Sequence, residues 1–169
     1  DKNMIEILSS IDSDIHTETA SRIFNVSLAS VTKDMRRKAK EVNFGLIYGM
    51  ESFGLSKSLD ITKNEAQELI DAYFSQFPKI KGFLDTIVSD AEKNGFTKTL
   101  YGRKRIIKEL GSSNFQLKAM GKRIAMNAPI QGTAADIMKI AMLKVESKIS
   151  DLKSTDLLLQ IHDEIIVQT

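Results

Sequence analysis

The 169-residue chain has no cysteine and no tryptophan, two prolines, and aromatic residues at only 7% of its length. Without cysteine there is no disulfide framework and no thiolate metal site, so packing and hydrogen bonds must hold the fold; the cellular compartment stays open on that ground. No apolar run in the sequence approaches the roughly 20 residues that cross a bilayer, and no cationic start followed by an apolar core resembles a signal peptide. Twenty-four Lys and Arg against 22 Asp and Glu leave a net charge of +2, too small for a uniformly basic nucleic-acid binder. No phosphate-cradling P-loop, Gly-rich dinucleotide fingerprint or HExxH motif occurs, and neither does an internal repeat or a low-complexity tract. Apolar residues at 42% and charged residues at 27% describe a chain able to bury a core. It opens at Asp1 without an initiator methionine and stops at Thr169 directly after an apolar run, so both ends read as cut from something longer.

The charge that is present is clustered. Residues 33–40 carry five cations against Asp34; residues 98–108 carry Lys98, Arg103, Lys104, Arg105 and Lys108 with no acid; Lys118, Lys122 and Arg123 follow. Three basic stretches can line one groove if the fold gathers them. Within the first, Arg36, Lys40, Phe44 and Tyr48 recur every four residues, so a helix would carry two cations and two rings on one stripe, with about 18 Å between its ends. Met35, Ala39, Val42 and Leu46 fall opposite and supply a docking seam. The stripe suits an extended ligand with phosphates at one end and a base at the other. It equally suits a solvated cationic face, except that two large rings in register leave apolar surface needing cover.

The coarse pattern is mostly helical. Residues 14–24 read as a short helix after a loop at 9–13, and a second helix starts at 32–34 and runs to Gly49. Thr62 and Glu65 form a capping-box pattern for a helix to about residue 76; Pro78 opens the next, which stops at Asn94-Gly95. Residues 96–100 and 105–107 predict a basic hairpin across Tyr101-Gly102. Ser113 would cap a helix to about residue 128, Pro129 would kink or break it, and residues 133–149 would resume it. The chain closes with apolar runs 157–161 and 165–167 around His162-Asp163-Glu164, a strand, an acidic turn and a strand.

Carboxylates at the one polar break of an apolar hairpin are oxygen donors of the kind hard divalent cations prefer, and they are equally what an ordinary turn tip contains. Paired-metal phosphoryl transfer needs carboxylates from two chain segments. Asp12, Asp14, Asp60, Asp90 and Asp136 sit in helical or loop contexts with no matching strand, so no second segment is visible. His16, near a helix start, could reach an anion, although a lone histidine there is more often structural.

Taken together, DIHTETAS, RRKAKEVNFGLIYGM, NAPIQGTAADIMKIAM and LLLQIHDEIIV stand in order along nearly the whole chain, and the combination resembles the family A DNA polymerases. The resemblance implies a mostly helical α+β fold: residues 1–12 as a palm and fingers junction, 13–112 as fingers with a nucleotide-binding helix at 34–48, and 113–169 as part of the palm with the acidic hairpin. It implies that His16, Arg36 and Lys40 meet the triphosphate of an incoming deoxynucleotide, where their charge would also offset the leaving pyrophosphate, with Lys40 counted among the catalytic residues. Phe44 would pack beside sugar and base, implying poor use of dideoxynucleotides, and Tyr48 would stack at the template position. Arg123, Asn127 and Gln131 would contact primer-template DNA near its minor groove and His162 the primer end, with Arg103 and Arg105 as further DNA-binding residues. Asp163 would be a catalytic metal ligand beside Glu164, with two Mg²⁺ ions in the intact enzyme. The implied partners are primer-template DNA, deoxynucleoside triphosphates and the remainder of the polymerase chain, in a bacterial cytoplasm or an organelle. The family's other catalytic aspartate and its ribose-rejecting glutamate are expected upstream of Asp1, so the isolated chain is expected not to polymerise. A non-catalytic nucleic-acid-binding module of the same shape is the alternative.

Overall fold

The computed structural model describes residues 1–152 and 154–169. Among them seven α-helices and two two-stranded hairpins form a mostly helical α+β chain. It divides into two compact units, residues 1–97 with 106–127 and residues 98–105 with 128–169.

The first unit is built from α1 (Lys2–Ser9), α2 (Ile15–Phe24), α3 (Lys33–Ile47), α4 (Ser52–Leu59), α5 (Lys63–Gln76), α6 (Pro78–Asn94) and the start of α7 (Phe115–Ile149). Local chemistry fixes most boundaries. Thr62 accepts from the Glu65 N–H at 3.2 Å while the Glu65 carboxylate accepts from the Thr62 N–H at 2.8 Å, satisfying two donors that the helix start would leave bare. Pro78 opens α6, where its missing N–H costs nothing, and Gly95 closes it at φ 75°. Thr32 caps α3; at the far end Gly49 turns left-handed at φ 73° and the Met50 N–H donates to the Gly45 carbonyl at 2.7 Å, a Schellman-type stop.

The seam on α3 does what its spacing predicts. Ala39, Val42 and Leu46 are buried and Met35 half-buried. Val42 and Leu46 join Ile7, Leu55, Leu59, Ala66, Ile70, Tyr73 and Phe77 in the main core. Each large aliphatic there contributes about 1.5–3 kcal/mol by leaving water. Tyr73 and Phe77 pack with centroids 5.0 Å apart. A smaller core gathers Ala91, Ile107, Leu110 and Ala125.

In the second unit β3 (Asp156–Ile161) pairs antiparallel with β4 (Glu164–Gln168), Leu157 opposite Val167 and Ile161 opposite Glu164, with an irregularity at Leu158 that gives β3 one residue more than its partner. The other hairpin, β1 (Phe96–Lys98) and β2 (Lys104–Ile106), has its tip in this unit, where Gly102 turns at φ 82°. Leu100 donates its N–H to the Thr133 hydroxyl at 2.9 Å. Arg103 reaches Asp136 at 2.6 Å and the Gly132 carbonyl at 3.0 Å. A Cβ on Gly132 would lie 2.7 Å from Thr99 Cγ2, so the tip approaches α7 closely because that position is glycine.

Four expectations are corrected. Helix α1 stands ahead of the expected loop, capped by Asp1, which accepts from the Asn3 N–H at 3.0 Å. Helix α4 follows Gly49 where the sequence offered no separate element. Helix α7 begins at Phe115 on an Asn114 cap, whose Oδ1 accepts from Gln116 and Leu117, rather than on Ser113, and it is unbroken at Pro129. A proline withdraws one N–H and crowds one carbonyl, which a 35-residue helix tolerates locally. Finally, Glu164 is the first residue of β4 rather than part of the turn, leaving His162-Asp163 as a two-residue connection with His162 at φ 52°.

Candidate functional site

Helix α3 presents its stripe away from the core. Arg36 and Lys40 are exposed, Phe44 is 45% exposed, and Tyr48 is half-buried. The Phe44 and Tyr48 rings stack at 6.3 Å and 28°, and His16 from α2 adds a third ring 5.5 Å from Phe44. A graded face results, cations toward the start of α3 and a ladder of rings toward its end.

Helix α2 lies along α3 and determines where His16 points. Asn43 is buried on the flank of the stripe; its amide meets the Thr19 hydroxyl at 3.1 Å and donates to His16 Nδ1 at 3.2 Å. An amide donating to Nδ1 leaves the imidazole proton on Nε2. Burial lowers the His16 pKa and the Arg36 and Lys40 charges lower it further, against an opposing pull from Asp14. His16 is therefore a neutral N–H donor at neutral pH.

Asp14 caps α2, accepting from the Thr17 N–H at 2.9 Å, and grips Arg36 through Nε at 2.7 Å and Nη2 at 3.0 Å. The Arg36 hydrogen bond, with help from Thr17, holds the Asp14 carboxyl far below the usual carboxylate range, and Asp14 in turn raises Arg36. Lys40 has no ion-pair partner among the described residues.

Toward the end of α3, Phe44, Tyr48, Gly49, Phe53 and Arg123 line a cavity of about 430 Å³. Gly49 makes this junction possible, since a Cβ there would lie 2.8 Å from Met126 Sδ and 3.1 Å from Arg123 Cγ. Arg123 is thus brought beside Tyr48, and the half-buried Asn127 stands one turn further along α7 in the same unit.

The remaining expected residues belong to the second unit. Gln131 is exposed on α7. Arg105 is exposed on β2, whereas Arg103 is tied to Asp136, whose carboxyl is held low by the Thr99 hydroxyl and by Arg103. His162, Asp163 and Glu164 are exposed, and Gln160 Nε2 donates to the His162 carbonyl at 2.7 Å. No three His, Cys, Asp or Glu side chains converge as a metal site among the described residues.

Sequence reasoning missed Asp14, Asn43 and Asp136 as organisers. Asp14 and Asp136 drew attention only as candidate second carboxylates; the one local signal was the Asp-x-x-Thr spacing that marks Asp14 as a helix cap.

The model of DNA polymerase family A matches residues 1–169. The DNA polymerase I of Caldicellulosiruptor bescii is 49% identical over 157 residues, 92% of this chain and 18% of that protein. The DNA polymerase I of Geobacillus stearothermophilus is 45% identical over 169 residues, 99% of this chain and 19% of that protein. The chain thus spans about a fifth of the length of the curated relatives it matches. Among solved structures, the POL domain of Pol1 from M. smegmatis, in complex with DNA primer-template and dNTP, superposes with a TM-score of 0.91 at 40% identity, over 99% of this chain and 30% of that one.

Proposed function

Since the chain belongs to DNA polymerase family A, we propose that it is the nucleotide-binding part of a template-directed DNA polymerase, with residues 13–112 as fingers and 113–169 as part of the palm. The graded face of α3 carries this reading. Arg36, Lys40 and the Nε2–H of His16 supply charge and donors for a triphosphate, and the exposed Phe44 and half-buried Tyr48 rings supply stacking surface for sugar and base. Lys40, the stripe cation with no ion-pair partner among the described residues, is the group best placed to neutralise charge that grows on the departing pyrophosphate. The relative bound to primer-template and dNTP supports the same choice of ligands. Arg123, Asn127, Gln131, Arg105 and His162 are the proposed contacts to DNA, and the tethered Arg103 contributes chiefly by shaping the hairpin tip.

Phosphoryl transfer of this kind uses paired divalent ions to stabilise the attacking and leaving oxygens. The donor set of this chain does not fit such a pair by itself: Asp163 and Glu164 are neighbouring exposed carboxylates, and no third donor converges on them among the described residues. We therefore assign Asp163 as one Mg²⁺ ligand of a site completed by another segment of the polymerase.

In the full polymerase, Lys40→Ala is expected to reduce dNTP use by two or more orders of magnitude, while primer-template affinity changes less than threefold. Equal losses in both would remove the triphosphate role. The incomplete metal set also supports a second reading, a nucleic-acid-binding module without catalysis. Primer extension separates the two, because Asp163→Ala should abolish it in the polymerase and a module has nothing to lose.

A further inference from the structure

We propose that Asp14 is a positioning residue for nucleotide binding, a fixed carboxylate that aims Arg36 before the nucleotide arrives. The inference rests on the reading of α3 as the triphosphate face. Its ground is the difference between the two sides of the ion pair. Asp14 is anchored independently of Arg36: Oδ2 also accepts from the Thr17 backbone N–H and hydroxyl, so the start of α2 fixes its position. Arg36 is a long side chain on an exposed stripe and, left alone, would sample many rotamers.

The geometry shows which donors remain. A guanidinium carries five N–H groups. Asp14 takes Nε–H and one hydrogen of Nη2, which leaves both hydrogens of Nη1 and one of Nη2. Those lie along the far edge of the plane and form a second fork of the kind that grips an oxyanion with two parallel bonds. Asp14 thus occupies the side of the guanidinium and keeps its end available. The pair is also open to a ligand, with Arg36 at 47% and Asp14 at 39% side-chain exposure. Because the same carboxylate caps the helix that carries His16, one residue sets the direction of two phosphate donors. An arginine already aimed loses less freedom on binding, which appears as tighter nucleotide capture and not as faster chemistry.

Asp14→Asn isolates this role, because asparagine caps a helix about as well as aspartate but offers one acceptor and an N–H₂ group to the guanidinium. In the full polymerase on primer-template DNA, Asp14→Asn is expected to raise the KM for the correct dNTP about tenfold with kcat within about threefold and only a small loss in melting temperature, since an exposed ion pair contributes little to stability. In an Arg36→Ala background the same change should add nothing to KM. If Asp14→Asn leaves KM unchanged or lowers it while Arg36→Ala raises it, the positioning role is wrong and the triphosphate face stands. Independent, additive effects in the double variant would also overturn the role, since Asp14 would then act without Arg36. If Arg36→Ala itself leaves KM unchanged, the triphosphate reading fails and this inference with it.

Discussion

His16 lies partly buried beside Phe44 with Nδ1 on the Asn43 amide, and its burial, followed by the Arg36 and Lys40 charges, disfavours a second proton. Its titration, followed by imidazole NMR, is expected at a midpoint below the ordinary value of about 6.5. The sign for stability follows: the unfolded chain takes up the proton first, so stability is full above about pH 6.5 and falls as the pH drops through the folded value. A midpoint above 7 would mean that the Asn43 amide accepts from His16 instead. Asp14 shifts the same way from a lower start. Its pairing with Arg36 persists at pH 4 and is lost only in stronger acid, where the folded carboxyl takes up a proton. Gly49 is constrained both by φ and by the Met126 and Arg123 side chains, so Gly49→Ala is expected to lower stability by more than about 1 kcal/mol in urea unfolding. The sequence displayed the stripe because its members lie four apart on one helix. Asp14 and Asn43 were hidden because their partners stand 22 and 27 residues away, a distance that no local period encodes.

Helix ends were the most legible parts of the fold. The Thr62–Glu65 box, Thr32, Pro78 and Gly95 act within a few residues of themselves, and each appears where its chemistry predicts. Thr62→Ala should therefore cost about 1 kcal/mol, read as a lower urea midpoint at unchanged slope. An unchanged midpoint would show that packing of Ala66, Ile70 and Tyr73 holds α5 without its cap. The short helices α1 and α4 were invisible for the opposite reason. Eight residues give barely two turns of periodicity, and their stability comes from Ile7, Leu55 and Leu59 entering a core assembled from distant elements. Pro129 misled because its local rule is strong, while α7 has enough turns on either side to continue through it.

At the scale of the molecule, a net charge of +2 conceals an uneven distribution, and the basic stretches are divided between the two units. If these cations meet DNA phosphates, affinity for primer-template should fall steeply between two salt concentrations. Arg123→Ala and Arg105→Ala should each reduce the slope of log affinity on log salt by about 0.9. A flat salt response would assign the basic faces to packing alone. The fold class was legible because helical signals outnumber strand signals along the chain. The packing around the acidic hairpin was not, since which neighbours a strand pair gains is a property of three dimensions. The acidic turn sharpens that point. It rides on a ladder of only two strands, with Leu158, Leu159, Ile161 and Ile166 between 38% and 52% exposed, and a two-stranded ladder is marginal by itself. The aim of Asp163 thus depends on the pairing of its own two strands: a substitution on the outer rim of β3 or β4, away from the turn itself, is expected to loosen the carboxylate's position.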